Sequence, residues 1–332
     1  MPSSSIPLTS LPQSAGDRSR RSSRLMAAAV VTVAACSAGA TTSLAADAAP
    51  SRAHALVQFQ FADQYLTPRG MIVHNDGMTF QPLVLGFFNV HKSDSFLNDI
   101  TLIGGVWNDF STSPVSVHAP FGSSPKTSWV EIDPIAGVSM GLGKNLKLDV
   151  TYTAFKMEIL DIPTSQHLEV KMALDDTEWL KAFALHPYVS FWQELDGKAT
   201  AAQVPYFVDP LGKKPGAPPD SSFYFDLGVA PSYTFEKLSL KVEAPCRVLL
   251  ADKDFYGEYY DKSSTIGLFE VGVKATIPLK FMPEGYGHWS FYSGVKYMNF
   301  VDDNLAGMQQ FNAPGKATDD VVQFYFGISS FF

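Results

Sequence analysis

Residues 321–332 read Val-Val-Gln-Phe-Tyr-Phe-Gly-Ile-Ser-Ser-Phe-Phe. Side chains in a β-strand point alternately to opposite faces, so counting in twos separates the two faces. One face would carry Val322, Phe324, Phe326, Ile328, Ser330 and Phe332, and the other Val321, Gln323, Tyr325, Gly327, Ser329 and Phe331. The first face is mostly apolar and the second mostly small or polar. Because a soluble domain seldom ends on two phenylalanines, the pattern favours a strand facing lipid; an amphipathic edge strand of a soluble sheet is the alternative.

The same stretch resembles the closing strand of bacterial outer-membrane β-barrels, which has a terminal phenylalanine and outward apolar residues at every second position. Ser330 departs from this pattern, because the family usually has tyrosine or another large apolar residue there. The resemblance implies that the barrel-assembly machinery recognises the end of the chain. The assembly signal would consist of Phe324, Phe326, Ile328 and Phe332.

The composition of the 332-residue chain fits a protein with two kinds of surface. Charged residues make up 17% of the chain, below the roughly 25% typical of soluble proteins, while aromatic residues reach 13%. Mean hydropathy is only +0.02. Beyond residue 46, no run approaches the roughly 18 apolar residues that a spanning helix needs. The sequence therefore excludes a helical membrane protein.

The N-terminal segment has the layout of an export signal. Four arginines precede the small apolar run 25–35, namely Arg18, Arg20, Arg21 and Arg24. Ser43-Leu44-Ala45 then offers a small-x-small cleavage site, which predicts a signal peptide over 1–45, a short periplasmic segment over 46–55 and a barrel over 56–332. A lipobox ending at Cys36 is the alternative. If cleavage follows Ala45, Cys246 is the one cysteine left, which excludes an internal disulfide and a cysteine-based metal site.

Segments of about ten residues with period-two alternation recur after the leader. They cover 56–65, 79–90, 99–110, 129–141, 145–156, 167–175, 185–193, 222–235, 237–249, 266–278, 288–300 and 321–332. The connections between them alternate between long and short, as in outer-membrane barrels with long outer loops and short periplasmic turns. The sequence therefore predicts an all-β protein, a transmembrane antiparallel up-and-down β-barrel of about twelve strands. A soluble β-sandwich would not need every second loop to be long.

Each predicted strand has one apolar face and one face that carries charges. Twelve strands enclose more space than single side-chain layers fill, so the apolar faces should meet lipid and the charges should line the lumen. The expected lumen-lining residues are Glu131, Asp133, Lys147, Asp149, Glu169, Lys171, Asp226, Lys241, Glu243, Glu270, Lys274 and Lys296. They would form a charged constriction that sorts solutes, or cross-strand ion pairs that brace the wall.

Acidic and aromatic residues gather in the expected outer loops. The extracellular mouth would carry Asp252, Asp254, Tyr256, Glu258, Tyr259, Asp302, Asp303, Asp319 and Asp320. Rings beside carboxylates suit sugars, nucleosides or cations, whereas the alternative is a solvated loop whose rings reach the lipid headgroups. A calcium site at Asp252, Asp254 and Glu258 is disfavoured, because the spacing lacks the third acidic ligand and the glycine of an EF-hand loop, so no metal site is predicted.

Enzymatic and nucleic-acid functions find little support. The seven histidines form no His-x-x-x-His or His-Glu-x-x-His pattern. Ser165 and His167 are the nearest pair for a barrel phospholipase, which would need both side chains on the lipid-facing wall. Phosphate loops and dinucleotide fingerprints are absent, and a net charge of −8 disfavours DNA binding. We therefore expect no catalytic residues, no cofactor and no nucleic-acid partner.

A second resemblance involves Asp63-Gln64-Tyr65-Leu66-Thr67-Pro68-Arg69-Gly70, followed by Gln81-Pro82. This segment resembles the opening of outer-membrane barrels that have an Asp-x-Tyr motif, an Arg-Gly turn and a glutamine in the next strand. Pro68 departs from the large apolar residue that usually precedes Arg-Gly. Chain size and strand number are also similar to those of nucleoside-channel (Tsx-type) barrels. The resemblance implies a place in the outer membrane of a Gram-negative-type bacterium, in contact with lipid and lipopolysaccharide.

These observations predict a passive, porin-like channel for small hydrophilic solutes. The first alternative is a closed or plugged barrel with a structural or surface-recognition role. A phospholipase-type barrel enzyme is the second alternative.

Overall fold

The computed structural model describes residues 51–115, 127–159, 164–196, 221–252, 255–256, 264–283, 285–312 and 319–332. The strands are β1 (Ala53–Ala62), β2 (Tyr65–Leu66), β3 (Ile72–His74), β4 (Thr79–Lys92), β5 (Leu97–Val115), β6 (Thr127–Leu142), β7 (Leu146–Met157), β8 (Ser165–Leu174), β9 (Tyr188–Asp196), β10 (Phe223–Val229), β11 (Ser232–Phe235), β12 (Leu240–Glu243), β13 (Cys246–Ala251), β14 (Ile266–Pro278), β15 (His288–Phe300) and β16 (Asp320–Phe331). Two α-helices are described, α1 (Thr177–Leu180) and α2 (Asp303–Asn312), together with two 3-10 turns, Lys181–Phe183 and Glu236–Leu238. The proposed leader, 1–45, lies outside the described residues and stays a prediction.

The strands form a closed antiparallel up-and-down barrel. Each long strand pairs with its neighbours in the chain, and β1 also pairs with β16 from Leu56 opposite Phe331 to Ala62 opposite Tyr325. β10 and β11 are two parts of one strand, as are β12 and β13, and β2 and β3 form a separate hairpin. The wall therefore has twelve strands, which confirms the predicted fold class.

Prolines mark the interruptions in the wall. Proline has no N–H to donate to a strand ladder, so it is confined to strand ends and irregular places. Pro231 separates β10 from β11, and Pro245 separates β12 from β13. Pro134 lies inside β6, where the pairing with β7 skips from Ile132 to Ile135. The missing N–H explains the irregular pairing at these positions.

The connections alternate in length as predicted, with one exception: 158–164, on the side predicted to be long, is shorter than 175–187, on the side predicted to be short, because 175–187 contains α1. One end of the barrel, here called the short-turn end, has the connections 93–96, 143–145, 175–187, 236–239 and 279–287, together with both termini of the described barrel. The opposite end, called the long-loop end, has the connections 63–78, 116–126, 158–164, 197–222, 252–265 and 301–319. Parts of most of these long loops lie outside the described residues. Among the described residues of these loops, 63–78 includes β2 and β3, and 301–319 includes α2.

Side-chain exposure follows the predicted alternation along the strands. On β16, Phe324 is 60% exposed, whereas its neighbour Tyr325 is 2% exposed. Since the barrel is closed, buried alternate residues face its interior and exposed ones face outward. The outward residues include Val84, Phe88, Leu102, Val189, Phe225, Leu227, Phe269, Val273, Phe291 and Phe326. A continuous apolar outer surface on a closed barrel matches the lipid-facing band of a transmembrane barrel. No helix within the described ranges is long and apolar enough to cross a membrane.

Inward tyrosines cover glycines on neighbouring strands. A Cβ atom on Gly327 would collide with the Tyr292 side chain, and a Cβ atom on Gly294 would collide with Tyr325. Tyr188 occupies the corresponding space beside Gly228. Glycine is therefore required where these rings lie flat against the inner wall, and the rings reduce the free cross-section of the lumen.

The chain end closes the seam between β16 and β1. The backbone N–H of Phe332 donates to the carbonyl of Ala55 at 2.9 Å, and the Ala55 N–H donates to the Phe332 carbonyl at 3.3 Å. The Phe332 ring packs edge-on against Trp289, with 6.1 Å between ring centroids, and remains 46% exposed. Its side chain therefore contributes few contacts to the folded barrel.

Phe332→Asp, which keeps the backbone hydrogen bonds to Ala55, should reduce the amount of assembled protein in the membrane more than it lowers the unfolding temperature of refolded protein. The physical reason is that a half-exposed ring adds little packing, whereas a terminal aromatic residue is what the resemblance assigns to recognition. Heat-modifiability of membrane fractions and thermal unfolding in detergent measure the two effects. Phe281→Asp is the control, because Phe281 is 78% exposed and distant in sequence from the terminus. Normal membrane levels of the Phe332→Asp variant would contradict the assembly signal.

Candidate functional site in the barrel interior

The twelve residues expected to line the lumen occupy the inward-alternating strand positions. The most buried are Glu131, Asp133, Asp149, Asp226, Glu270 and Lys296. Lys147, Glu169, Lys171, Glu243 and Lys274 are partly buried, and Lys241 is exposed near the short-turn end. They alternate with lipid-facing apolar residues, as the period-two pattern requires. Their part in selecting solutes remains a prediction.

Several of these groups form ion pairs with one another or with an arginine that the sequence analysis missed. Arg247 is 3% exposed and donates to Asp226 at 2.7 Å and to Glu270 at 2.6 Å. Lys147 pairs with Asp149 at 3.2 Å, and Lys241 pairs with Glu243 at 2.9 Å. Arg247 continues the odd-numbered register of Lys241 and Glu243 across Pro245, so extending the alternation past the break could have found it.

A hairpin from the first long connection folds into the lumen. This plug hairpin, β2 to β3 (Tyr65 to His74), was expected to belong to a long outer loop. The Tyr65 hydroxyl donates to Glu131 on β6 at 2.6 Å. His74 contacts Asp109 on β5 at 3.0 Å, and both side chains are buried. These contacts fasten one side of the plug hairpin to the wall formed by β5 and β6.

The tip of the plug hairpin reaches other strands. The Arg69 guanidinium lies 4.1 Å from the centroid of the Phe155 ring on β7, and Arg69 is 1% exposed. Arg247 on β13 donates to the Pro68 carbonyl at 2.6 Å. The Tyr256 hydroxyl donates to the Arg69 carbonyl at 2.8 Å. The plug hairpin is therefore bonded to β5, β6, β7 and β13, so it extends across the lumen.

Helix α2 adds a second inward element. The side-chain amide of Gln309 donates to the Gly70 carbonyl at 3.0 Å, and its oxygen accepts from the Ile72 N–H at 3.0 Å. Leu305 belongs to the same buried apolar cluster as Leu66 and Ile72. Gly70 has a φ of 93°, a left-handed conformation that favours glycine at the tip of the turn. The two elements thus form one packed unit inside the barrel.

Two residues expected at a solvated mouth are buried instead. Asp302 is 2% exposed and caps α2, since Oδ1 accepts from the N–H groups of Asn304 at 2.8 Å and Leu305 at 3.1 Å. Its Oδ2 accepts from the Ser264 N–H at 2.6 Å. Unpaired N–H groups at a helix start attract a carboxylate, which explains this placement. Tyr256 is 2% exposed because its ring packs against Phe255 and its hydroxyl bonds to the plug hairpin.

The other expected mouth residues divide into two groups. Asp303, Asp319 and Asp320 are exposed at the long-loop end, and Asp252 is partly exposed there. Asp254, Glu258 and Tyr259 lie outside the described residues. An acidic mouth at this end therefore remains a prediction that rests on the exposed members.

The Ser165–His167 pair lies inside the barrel rather than on the lipid-facing wall. Ser165 Oγ is 2.8 Å from His167 Nε2, and the residues are 1% and 0% exposed. Glu194 Oε1 is 3.6 Å from the same Nε2. A hydrolytic triad places its acid on the other ring nitrogen, Nδ1. This pair therefore does not form the lipid-facing arrangement that a barrel phospholipase needs.

One group with metal-like spacing occurs among the described residues, at the short-turn end. It consists of Asp175, Asp176 and His186. The Asp176 carboxylate accepts from the backbone N–H groups of Leu185 at 3.0 Å and His186 at 2.9 Å. Burial raises the pKa of Asp176, but these backbone donors lower it by more, so the pKa lies below its ordinary value. The carboxylate thus stabilises the turn that carries α1.

Comparisons with known proteins give structural likenesses only. No protein-family model matches the chain, and no curated protein sequence matches it. The chain is similar to OprB of Pseudomonas putida at high pH, with a TM-score of 0.36, 9% identity, and coverage of 84% of this chain and 93% of that chain. It is also similar to a porin refined at 1.8 Å resolution (TM-score 0.30, 9% identity, 84% and 99% coverage), and to OccK8 (OprE) of Pseudomonas aeruginosa (TM-score 0.27, 10% identity, 85% and 98% coverage). Identities and TM-scores this low do not establish a family for this chain.

Proposed function

We propose that the protein is an outer-membrane channel for small hydrophilic solutes, and that its lumen is narrowed by the plug hairpin and α2. The observation that carries the proposal is the two-sided wall: a closed twelve-stranded barrel with apolar residues outside and ionisable residues inside. An ionisable interior favours water and polar solutes, while the apolar exterior favours lipid.

A channel of this kind has a defined orientation in the outer membrane. Both ends of the described barrel lie at the short-turn end, which is periplasmic in outer-membrane barrels. The long-loop end then faces the cell exterior, with lipid and lipopolysaccharide around the wall and the barrel-assembly machinery as the partner that inserts it. The plug hairpin would enter the lumen from the exterior side.

A plug of this kind limits which solutes could pass. The charged interior groups are held by specific partners, such as Arg247 between Asp226 and Glu270. Large solutes would have to displace the plug hairpin, whereas small ones need only the space beside it. The proposed substrates are therefore small polar molecules and ions, and conductance should be low for a twelve-stranded barrel.

A second candidate is a closed barrel with a structural or surface-recognition role. The contacts that hold the plug hairpin favour it, because Tyr65, Arg69 and His74 are all buried and bonded. In that case the long loops would form the surface that binds other molecules.

Planar-bilayer recording of refolded protein tests the proposal. A channel should give discrete conductance steps, and liposomes containing the protein should swell in small sugars but not in large oligosaccharides. Protein heated before reconstitution is the control for leakage. Well-folded protein that gives neither steps nor swelling would refute the channel and leave the closed barrel.

A further inference from the structure

The connection between β8 and β9, residues 175–187, exposes large apolar side chains at the short-turn end. It contains α1 and the 3-10 turn Lys181–Phe183, and no residue of either element is buried. Trp179 is 64% exposed, Leu180 43% and Phe183 82%. Single exposed apolar residues are common on proteins, whereas a patch of them marks a surface that contacts a partner or a membrane.

This connection is held in a fixed place beside the barrel wall. The Asp176 carboxylate accepts from the backbone N–H groups of Leu185 at 3.0 Å and His186 at 2.9 Å. The Ala230 N–H, just after β10, donates to the Leu185 carbonyl at 2.7 Å. Lys181–Phe183 lies next to β11. The connection therefore prolongs the wall beyond the start of β9 and runs beside β11.

Strand β11 and the turn that follows it add to this apolar surface. Tyr233 is 54% exposed and Phe235 45%, and their rings meet edge-on with 4.8 Å between centroids. Both continue the odd-numbered outward positions of Phe225 and Leu227 on β10, so the surface is continuous with the lipid-facing band. Leu238, in the next turn, is 67% exposed. We call the combined surface the turn patch, which consists of Trp179, Leu180, Phe183, Tyr233, Phe235 and Leu238.

Exposed rings also occur on other sides of the same barrel end. Phe96, in the connection between β4 and β5, is 69% exposed, and Tyr286, in the connection between β14 and β15, is 66% exposed. A protein partner would cover one sector of this end, whereas a bilayer surrounds the whole barrel. Tryptophan and tyrosine collect at membrane–water interfaces because each has an apolar ring and one polar group. The spread of rings and the continuity with the lipid-facing band both favour lipid as the occupant of the turn patch.

We propose that the turn patch binds the headgroup region of the lipid leaflet at the short-turn end, so that the connection 175–187 anchors the barrel to the membrane surface. Interfacial elements of this kind bury their apolar side chains about 5–10 Å into the boundary between headgroups and acyl chains. The polar side chains of the same connection, Glu178 and Lys181, are exposed and can stay in water. The inference goes beyond the channel function and does not depend on it, because an open channel and a closed barrel have the same outer wall.

The fluorescence of Trp179 tests the inference in the full protein, reconstituted in lipid nanodiscs that leave both membrane faces open to solution. The emission of the native protein minus that of Trp179→Phe isolates this tryptophan. Phosphatidylcholine brominated high on its acyl chains should quench Trp179 more strongly than lipid brominated near the chain ends, and aqueous iodide should quench it several-fold less than free tryptophan. Trp192→Phe is the control, because the Trp192 ring stacks on Tyr224 inside the barrel and should not respond to brominated lipid.

Trypsin cleavage after Lys181 gives a second, independent measurement. The double variant Trp179→Ser with Phe183→Ser should be cut at Lys181 several-fold faster than the native protein in nanodiscs, because the connection would leave the membrane surface. Phe96→Ser, which changes a different turn, should leave the rate of this cleavage unchanged. Mass spectrometry identifies the fragments, and heat-modifiability establishes that each variant is folded.

Three results would overturn the inference. Free access of iodide to Trp179 without quenching by brominated lipid would place the connection in water and favour a protein partner. Protection from iodide without quenching by brominated lipid would show that a second copy of the chain covers the turn patch. An unchanged rate of cleavage in the double serine variant would show that these side chains do not hold the connection at the membrane.

Discussion

Replacing residues 64–75 with a short glycine–serine linker should raise the single-channel conductance of the refolded barrel several-fold. The replacement removes the plug hairpin with Tyr65, Arg69 and His74, whose side chains are buried inside the barrel. Because conductance depends on the narrowest wet cross-section, removal of material that crosses the lumen should widen the path. Planar-bilayer recordings near 1 M salt compare the single-channel conductance of this variant with that of the native protein. At this salt concentration the Debye length is only about 3 Å, so charge effects are screened.

A variant altered at the other end of the barrel is the control. Phe281→Ser combined with Tyr286→Ser changes a short turn whose side chains are 78% and 66% exposed, so its conductance should equal that of the native protein. If the protein without the plug hairpin has native conductance, another element limits the pore. If only that variant conducts, the native state is closed, and the second candidate function gains support.

Val150→Arg should cost about 2 to 4 kcal/mol of folding free energy in a bilayer, the usual penalty for a cation facing lipid at the membrane centre. Val150 lies in the middle of β7 and is paired with Val138 and Val170 on the two neighbouring strands. All three follow the outward register of β6, β7 and β8. Denaturant unfolding from lipid vesicles measures the free energy.

The adjacent inward position provides the matched variant. Thr151→Arg should cost much less, because position 151 faces the lumen and is paired with Glu169 on one side and Gly137 on the other. The glycine leaves room for the longer side chain, and the glutamate offers an opposite charge. Equal costs for the two arginines would show that β7 does not separate lipid from water as described.

The sequence alone determined the wall of the barrel. Period-two alternation placed Val150 outward and Asp149 inward because side chains on a strand must alternate, and this constraint is local. The twelve alternating segments then gave the strand number. The interruptions at Pro231 and Pro245 follow from the same local chemistry, because proline has no N–H to donate to a strand ladder. Arg247, which is not among the predicted lumen-lining residues, obeys the same alternation as Glu243.

Only the tertiary structure determined what fills the barrel. The plug hairpin depends on contacts between residues far apart in the chain, such as Tyr65 with Glu131 and Pro68 with Arg247. A connecting loop has no periodicity, so the same acidic and aromatic composition fits a solvated mouth or a buried plug. Asp302 is buried because α2 presents N–H groups to it. Whether such a loop stays solvated or folds into the lumen depends on whether its polar groups have hydrogen-bond partners there. Those partners become neighbours only after the barrel has closed.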